Sequence, residues 1–357
     1  MPELFCNWCD EVGVDLKCCS KCKLVDYCST ECQSNDWKWV HKLLCVKVPK
    51  AVEKAEAKIS SFRLSDYKTR NIGGQIVEES EAQDMCYDAM DMENGTAEKL
   101  KQILVALDTF PLSVEAWRML GDFYQSETKS NQARTVECSN VALKMHENAI
   151  ICARKLNPTW TEDRTEELSW GIMENRPYLR SVKGKALSLK DSGKVEEAVA
   201  QAKKLLKWNP SDNQGMRLLL CSWYLEIGDT EGCTNLLRKY GGGGAYLAYS
   251  DVLLQFLRWK KDDVLESDVK KSLYNAIMEN PYVPDFITGV VTIPKNLHEY
   301  YSPGELSEAE DYAMESIPIW KMHAQKKYLG SNVPTEYDLI NLLKSGKTFL
   351  MKCTHTD

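Results

Sequence analysis

Leu100, Ile103, Leu104 and Leu107 recur at i, i+3, i+4 and i+7, the apolar stripe of an amphipathic helix, and Thr96 stands where its N-cap belongs. The same spacing continues downstream. Ser113 precedes a helix carrying Trp117, Leu120 and Tyr124, and further helices are predicted over 176–192, 195–208, 215–227, 246–259 and 267–278. Ser307-Glu308-Ala309-Glu310 has the form of a capping box and opens a last strong helix towards Trp320. One more helix is expected over Thr335–Leu343, within a C-terminal segment, 326–357, that ends as a loose tail. No stretch shows competing strand alternation. Residues 47–95 are polar and weakly periodic, which predicts helical connectors with some mobile loop. The run Gly241–Gly244 after Tyr240 reads as a helix stop and a hinge, in preference to a phosphate-approaching loop.

Helix pairs close on a recurring signature: Leu156-Asn157-Pro158, Trp208-Asn209-Pro210 and Glu279-Asn280-Pro281, the last two prolines being 71 residues apart. Half that distance is close to the period of about 34 residues of tetratricopeptide repeats. Trp117-x2-Leu120-Gly121-x2-Tyr124 is similar to the first helix of such a repeat. Gly193, Ala198 and Pro210 fall at its interhelical glycine, small packing residue and terminal proline. Small residues at Gly121, Ala186 and Ala198 let neighbouring helices approach. Four further segments, Arg176-Pro177-Tyr178-Leu179, Asn209 to Gly215, Asn280-Pro281-Tyr282-Val283-Pro284 and Tyr301-Ser302-Pro303-Gly304 with Glu308-Ala309, resemble the suppressor-of-tumorigenicity repeat family. The likeness covers roughly residues 100–325. It implies a tetratricopeptide-like α-solenoid over 96–325 and no reaction, since that family has no established catalytic residues.

Cysteine changes the picture at the N-terminus. Of 14 cysteines, eight lie in the first 45 residues: Cys6, Cys9, Cys18, Cys19, Cys22, Cys28, Cys32 and Cys45. Cys6-x2-Cys9 and Cys19-x2-Cys22 each form a knuckle that aims two thiolates at one ion. Cys28-x3-Cys32 and His41-x3-Cys45 place two ligands one helical turn apart. Eight ligands make two tetrahedral zinc sites. The run Cys19-Ser20-Lys21-Cys22-Lys23, Tyr27-Cys28-Ser29, Cys32-Gln33, Asp36-Trp37, His41-Lys42 and Cys45 resembles the MYND-type zinc finger over residues 1–46. The resemblance implies interleaved pairs, with Cys6, Cys9, Cys28 and Cys32 on one zinc and Cys19, Cys22, His41 and Cys45 on the other. Cys18 is an extra thiol beside Cys19, and Trp37 to His41 is one residue longer than the commoner family spacing. Both inferred sites are filled by protein ligands, so the two zinc ions are expected to be structural.

Residues 1–60 hold nine lysines, no arginine and nine acidic residues, and zinc with its thiolates adds further negative charge, so nucleic acid is not the expected partner. MYND-type fingers in several regulatory proteins bind short proline-containing peptides, and the resemblance implies that the contact positions are Ser20, Gln33 and Trp37. The alternative is that Trp37 packs on the small zinc core and Gln33 is a solvated helix residue. Formal charge over the whole chain is -7. Its most apolar charge-free stretch, Leu218 to Leu225, is far short of a membrane span. The start, Met1 to Cys6, lacks the basic region and apolar run of a secretory signal, so a reducing cytoplasmic or nuclear setting is expected.

MYND fingers also occur in lysine methyltransferases, where a split SET domain bears an Asn-His pair. No Asn-His dipeptide exists here, and the downstream chain reads as helices. Ser345-Gly346-Lys347-Thr348 lacks the glycine a phosphate loop needs at Asn341, and His355-Thr356-Asp357 has no third ligand after it. His146, His298, His323 and the remaining cysteines are scattered without ligand spacing and read as core or surface side chains. The expected molecule is a mainly α, non-enzymatic adaptor. Its double-zinc MYND-type finger holds a proline-containing peptide and its tetratricopeptide-like solenoid a second protein, with no membrane or small-molecule partner. The alternatives are a regulatory subunit or diverged methyltransferase-like enzyme, or a nuclear transcriptional co-regulator.

Overall fold

The computed structural model describes residues 6, 9, 16–18, 26–38, 50–61, 76–94, 96–130, 135–241, 243–259, 261, 263–294, 300–325, 341, 343 and 344. The chain divides into two compact units, Met1–Gln214 and Gly215–Asp357. The first opens with a two-stranded antiparallel ribbon, β1 (Lys17–Cys18) and β2 (Asp26–Tyr27), in which Lys17 faces Tyr27 and Cys18 faces Asp26. These strands lie within the finger, and at two residues each they are too short to show alternation in the sequence. Helices follow: α1 (Thr30–Asp36), α2 (Lys50–Ser61), α3 (Val77–Met90), α4 (Ala97–Thr109), α5 (Val114–Ser130), α6 (Thr135–Leu156), α7 (Asn175–Asp191) and α8 (Val195–Trp208).

The expected caps form where local chemistry decides them. Thr96 Oγ1 accepts the Lys99 amide at 3.3 Å, and Ser113 Oγ accepts that of Ala116 at 3.2 Å. The stripe of α4, Leu100, Ile103, Ala106 and Leu107, is buried against Trp117, Leu120 and Phe123 of α5 and Met145 and Ala149 of α6. Val52, Ala55 and Ile59 of α2 enter the same core, and Glu56 ties α2 to α6 by accepting from Lys144 Nζ at 2.8 Å and Asn148 Nδ2 at 2.9 Å. Part of the connector read from 47–95 is therefore core. In α3 the buried residues are Ala82, Cys86 and Ala89, correctly spaced but too small to announce a stripe.

Each Asn-Pro signature has a mechanism. Proline stops the helix, and the asparagine side chain holds the turn. Asn209 Oδ1 accepts the Asn213 amide at 3.1 Å, and Asn280 Oδ1 accepts that of Tyr282 at 3.1 Å. At the end of α8, Trp208 donates from Nε1 to Arg164 O at 2.9 Å and stacks on Tyr178, which stacks on Trp160.

His146 on α6 was expected among ordinary core or surface side chains; it is fully buried with both ring nitrogens lacking a hydrogen-bond partner, Nε2 lying 3.7 Å from Asp122 Oδ1. Burial holds its pKa down to about 4, so the ring is neutral near pH 7. The ring fits because Gly121 of α5 and Gly184 of α7 lack side chains. A Cβ at Gly121 would stand 2.5 Å from His146 Cε1, and one at Gly184 would collide with it outright. Gly184→Ala is therefore expected to destabilise by about 1–3 kcal/mol through overpacking. In a His146→Ala background the same change should turn neutral or stabilising, because alanine exceeds glycine in helix propensity by about 1 kcal/mol. Urea unfolding of the four proteins of this cycle checks it; additive effects would refute the contact.

In the second unit, α9 (Met216–Ile227) and α10 (Thr230–Tyr240) form a tight hairpin, and α11 (Gly244–Trp259), α12 (Glu266–Glu279), α13 (Val283–Ile287) and α14 (Leu306–Gln325) complete it. Buried Glu308 ties it together. Its Oε1 accepts the Ala245 amide at 2.9 Å, and its Oε2 accepts the Gly304 amide at 2.8 Å and Asn280 Nδ2 at 3.1 Å. Gly244, at φ 76°, opens α11 where any Cβ would strike Glu308 Oε1. The glycine run thus serves close approach to the chain's own carboxylate. Helix α14 begins at Leu306, so Ser307 is not its N-cap; its hydroxyl accepts the Ser302 amide at 3.1 Å, which corrects the capping-box reading. The helix expected at Thr335–Leu343 falls almost wholly outside the described residues. Among the described residues no helix is long and apolar enough to cross a membrane.

Candidate metal centre

Strand β2 and helix α1 meet at Cys28-Ser29. Ser29 caps α1 by accepting the Cys32 amide at 3.1 Å, which places Cys32 in the first turn. Cys28 lies just ahead of the cap, so of the pair expected on one helix face only Cys32 is helical. The turn still presents both sulfurs to one point. At the other end of α1 the buried Tyr27 hydroxyl donates to Asp36 Oδ2 at 2.6 Å, clamping strand to helix. Cys6 and Tyr27 form a small buried cluster against which Leu16, Cys32 and Trp37 pack.

The ligand atoms of Cys6, Cys9, Cys28 and Cys32 all lie within 4.8 Å of one another. Cys9 Sγ is 3.5 Å from Cys28 Sγ and 3.8 Å from Cys32 Sγ, and Cys28 Sγ is 3.6 Å from Cys32 Sγ. A tetrahedron with zinc–sulfur bonds of about 2.3 Å has edges of about 3.8 Å, so the donor set and its spacing fit zinc. Without a cation, hydrogen bonding from Cys9, then from Cys32 and Cys6, pushes the Cys28 pKa far up. A bound divalent cation reverses that balance, since a coordinating thiol is deprotonated outright.

Residues 6–45 match the MYND finger family model. A MYND finger implies zinc and is generally a protein-interaction module, and one four-cysteine cluster stands among the described residues. Cys19, Cys22, His41, Cys45 and Ser20 lie outside those residues. Within the finger, Gln33 is half-buried on α1 and Trp37 half-buried at its C-cap, packed on the Cys6–Tyr27 cluster. The Tyr27–Asp36 clamp was not singled out from sequence, although both residues sit in the stretches that carry the MYND likeness.

Beyond the finger the described residues are mainly helical. The SET domain-containing protein 14 of Caenorhabditis elegans is 39% identical over 75 residues, which is 21% of this chain and 17% of that protein. The chain thus matches about a sixth of that relative's length. No solved structure matches.

Proposed function

We propose that this protein is a zinc-dependent adaptor whose MYND finger binds a short proline-containing peptide while its helical region, read as tetratricopeptide-like repeats, holds a second protein. The four thiols gathered inside the MYND match carry this reading. In it, Cys6, Cys9, Cys28 and Cys32 hold one structural zinc, and Cys19, Cys22, His41 and Cys45 a second. Ser20, Gln33 and Trp37 form the peptide contact. Gln33 lies on the short helix α1 and Trp37 at its C-cap, and the half-buried indole is compatible with both alternatives, packing on the finger core while part of it stays accessible. A flat ring beside an amide suits an extended ligand that loses little entropy on ordering.

The chain acts in cytoplasm or nucleus without chemistry of its own, raising the effective concentration of two partners. Anisotropy with a fluorescein-labelled Ala-Pro-Pro-Leu-Pro peptide and its all-alanine counterpart tests the finger. Proline-dependent binding should disappear on chelation and weaken about tenfold in Gln33→Ala at unchanged zinc content. Binding that survives chelation would sink the reading.

The SET-named relative supports a second reading, a regulatory or methyltransferase-like chain. Saturable binding of S-adenosylmethionine by calorimetry would favour it over the adaptor.

A further inference from the structure

Helices α9 and α10 are joined through Gly228 and Asp229. Gly228 stands at φ 78°, and Asp229 Oδ1 accepts the Gly232 amide at 2.7 Å, which starts α10 back along α9. Gly232 makes the approach close: a Cβ there would stand 2.7 Å from Tyr224 Cε1 of α9 and 2.6 Å from Asp229 Oδ2. In this hairpin Cys221 of α9 and Cys233 of α10, 12 residues apart, face each other with their sulfurs 3.3 Å apart, one thiol donating to the other. Both are free thiols and both are fully buried. Buried Cys86 and Cys152 have oxygen neighbours instead, Ser113 Oγ at 3.9 Å and Pro111 O at 4.0 Å.

Sulfurs at 3.3 Å need only small rotations about their Cα–Cβ bonds to reach the disulfide length of about 2.05 Å. The closed hairpin protects them. Burial keeps an oxidant out, and the hydrogen bond with Cys221, then burial, holds the Cys233 pKa far up, so the reactive thiolate is scarce. Access comes through α10. That helix buries only Cys233 and Leu236, and an element held by so few apolar contacts opens locally before its unit unfolds. Opening brings the Cys233 thiol to water, where it ionises as an ordinary thiol does.

We infer that Cys221 and Cys233 form a disulfide in response to a peroxide, and that this bond staples α10 onto α9. In the open hairpin the Cys233 thiolate attacks one peroxide oxygen. An S–O bond forms as the O–O bond breaks, giving a sulfenic acid and hydroxide. On reclosing, the Cys221 thiolate attacks the Cys233 sulfur, the S–S bond forms and a second hydroxide leaves. The two protons shed by the thiols convert both hydroxides to water, so the thiol pair loses two electrons and the peroxide gains them. The most lightly held helix of the hairpin is thereby tied covalently. This inference stands apart from the adaptor reading.

The test treats the zinc-loaded full chain with hydrogen peroxide, then blocks the remaining thiols with N-ethylmaleimide in urea. Mass spectrometry follows cleavage at Glu226 and Glu231, which lie between the two cysteines. The peptides holding Cys221 and Cys233 should appear linked, two hydrogens lighter than their sum, and should separate on dithiothreitol. Amide exchange over Thr230–Tyr240 should slow about tenfold or more in the oxidised chain. Cys221→Ala should lose both effects and Cys138→Ser neither, with circular dichroism reporting the fold of each. The wild-type map decides whether the bond forms even where a variant fails to fold, and finger cysteines fall in other peptides. Recovery of both cysteines as maleimide adducts, linkage only when peroxide is added to the urea-unfolded chain, or a linked pair with unchanged exchange over α10 would each overturn the inference.

Discussion

Stripping zinc is expected to unfold residues 6–45 and leave the helical cores standing. The finger has almost nothing else to hold it: among the described residues its buried cluster is Cys6 and Tyr27, with Leu16, Cys32 and Trp37 packed partly against them. So small a cluster cannot offset the conformational entropy of some forty residues at about 1–2 kcal/mol each. Structural zinc contributes about 10–16 kcal/mol of apparent binding energy, and because the site forms only on folding, that energy is folding energy. The helical core from Val52 to Cys152 is built of aliphatic and aromatic side chains and should not respond.

Elemental analysis should therefore find two zinc ions per chain, falling to one in Cys28→Ser, with far-UV circular dichroism nearly unchanged. Hydrogen exchange should rise about the finger alone. Acid should act like a chelator, because falling pH returns protons to thiolates that must be bare to bind metal. Full zinc retention in Cys28→Ser, or collapse of the helical signal with the metal, would refute the assignment.

Glu308→Ala should cost the second unit about 2–4 kcal/mol. The carboxylate is 2% exposed and receives the amides of Ala245 and Gly304 and the side chain of Asn280. Removing it leaves the buried Ala245 amide and the half-buried Gly304 amide without this acceptor, while Asn280 Nδ2 keeps its bond to Glu305 O at 3.0 Å. An unsatisfied buried donor costs about 1–3 kcal/mol. Glu308→Gln should cost less: its amide oxygen still accepts, but its NH2 faces donors. Glu305, exposed one turn earlier, offers a control, since exposed substitutions stay within about 0.5 kcal/mol. Urea unfolding, with hydrogen exchange of Ala245, measures both. A loss below about 1 kcal/mol for Glu308→Ala would mean that the network does not hold the unit.

Several features were legible because their cause is local. Helix α4 was announced by four large apolar residues at helical spacing and a threonine cap. The turns after α8 and α12 were announced by Asn-Pro, where one residue stops the helix and its neighbour bonds the next amides. Helices α3, α6 and α10 were less visible for physical reasons. The buried face of α3 is alanine and cysteine. In α6 the buried residues Leu143, Asn148, Ile150 and Cys152 widen the stripe of Ala142, Met145, His146, Ala149 and Ala153 around the helix, and α10 buries only Cys233 and Leu236. The ligand pairs of the finger were legible in the same way, since two-residue and three-residue spacings already bring thiols together.

By itself, then, the sequence determined the helical character of the body, its Asn-Pro turns and the thiol pairs of a zinc finger, because each depends on residues within a turn or two of one another. Only the tertiary structure decided how distant residues meet. It brought Cys6 and Cys9 to Cys28 and Cys32, aimed Glu308 at an amide 63 residues away, seated His146 between two glycines and packed α2 into the core. Such contacts depend on which faces of separate helices meet, and on the space a missing side chain leaves there, neither of which a local pattern encodes.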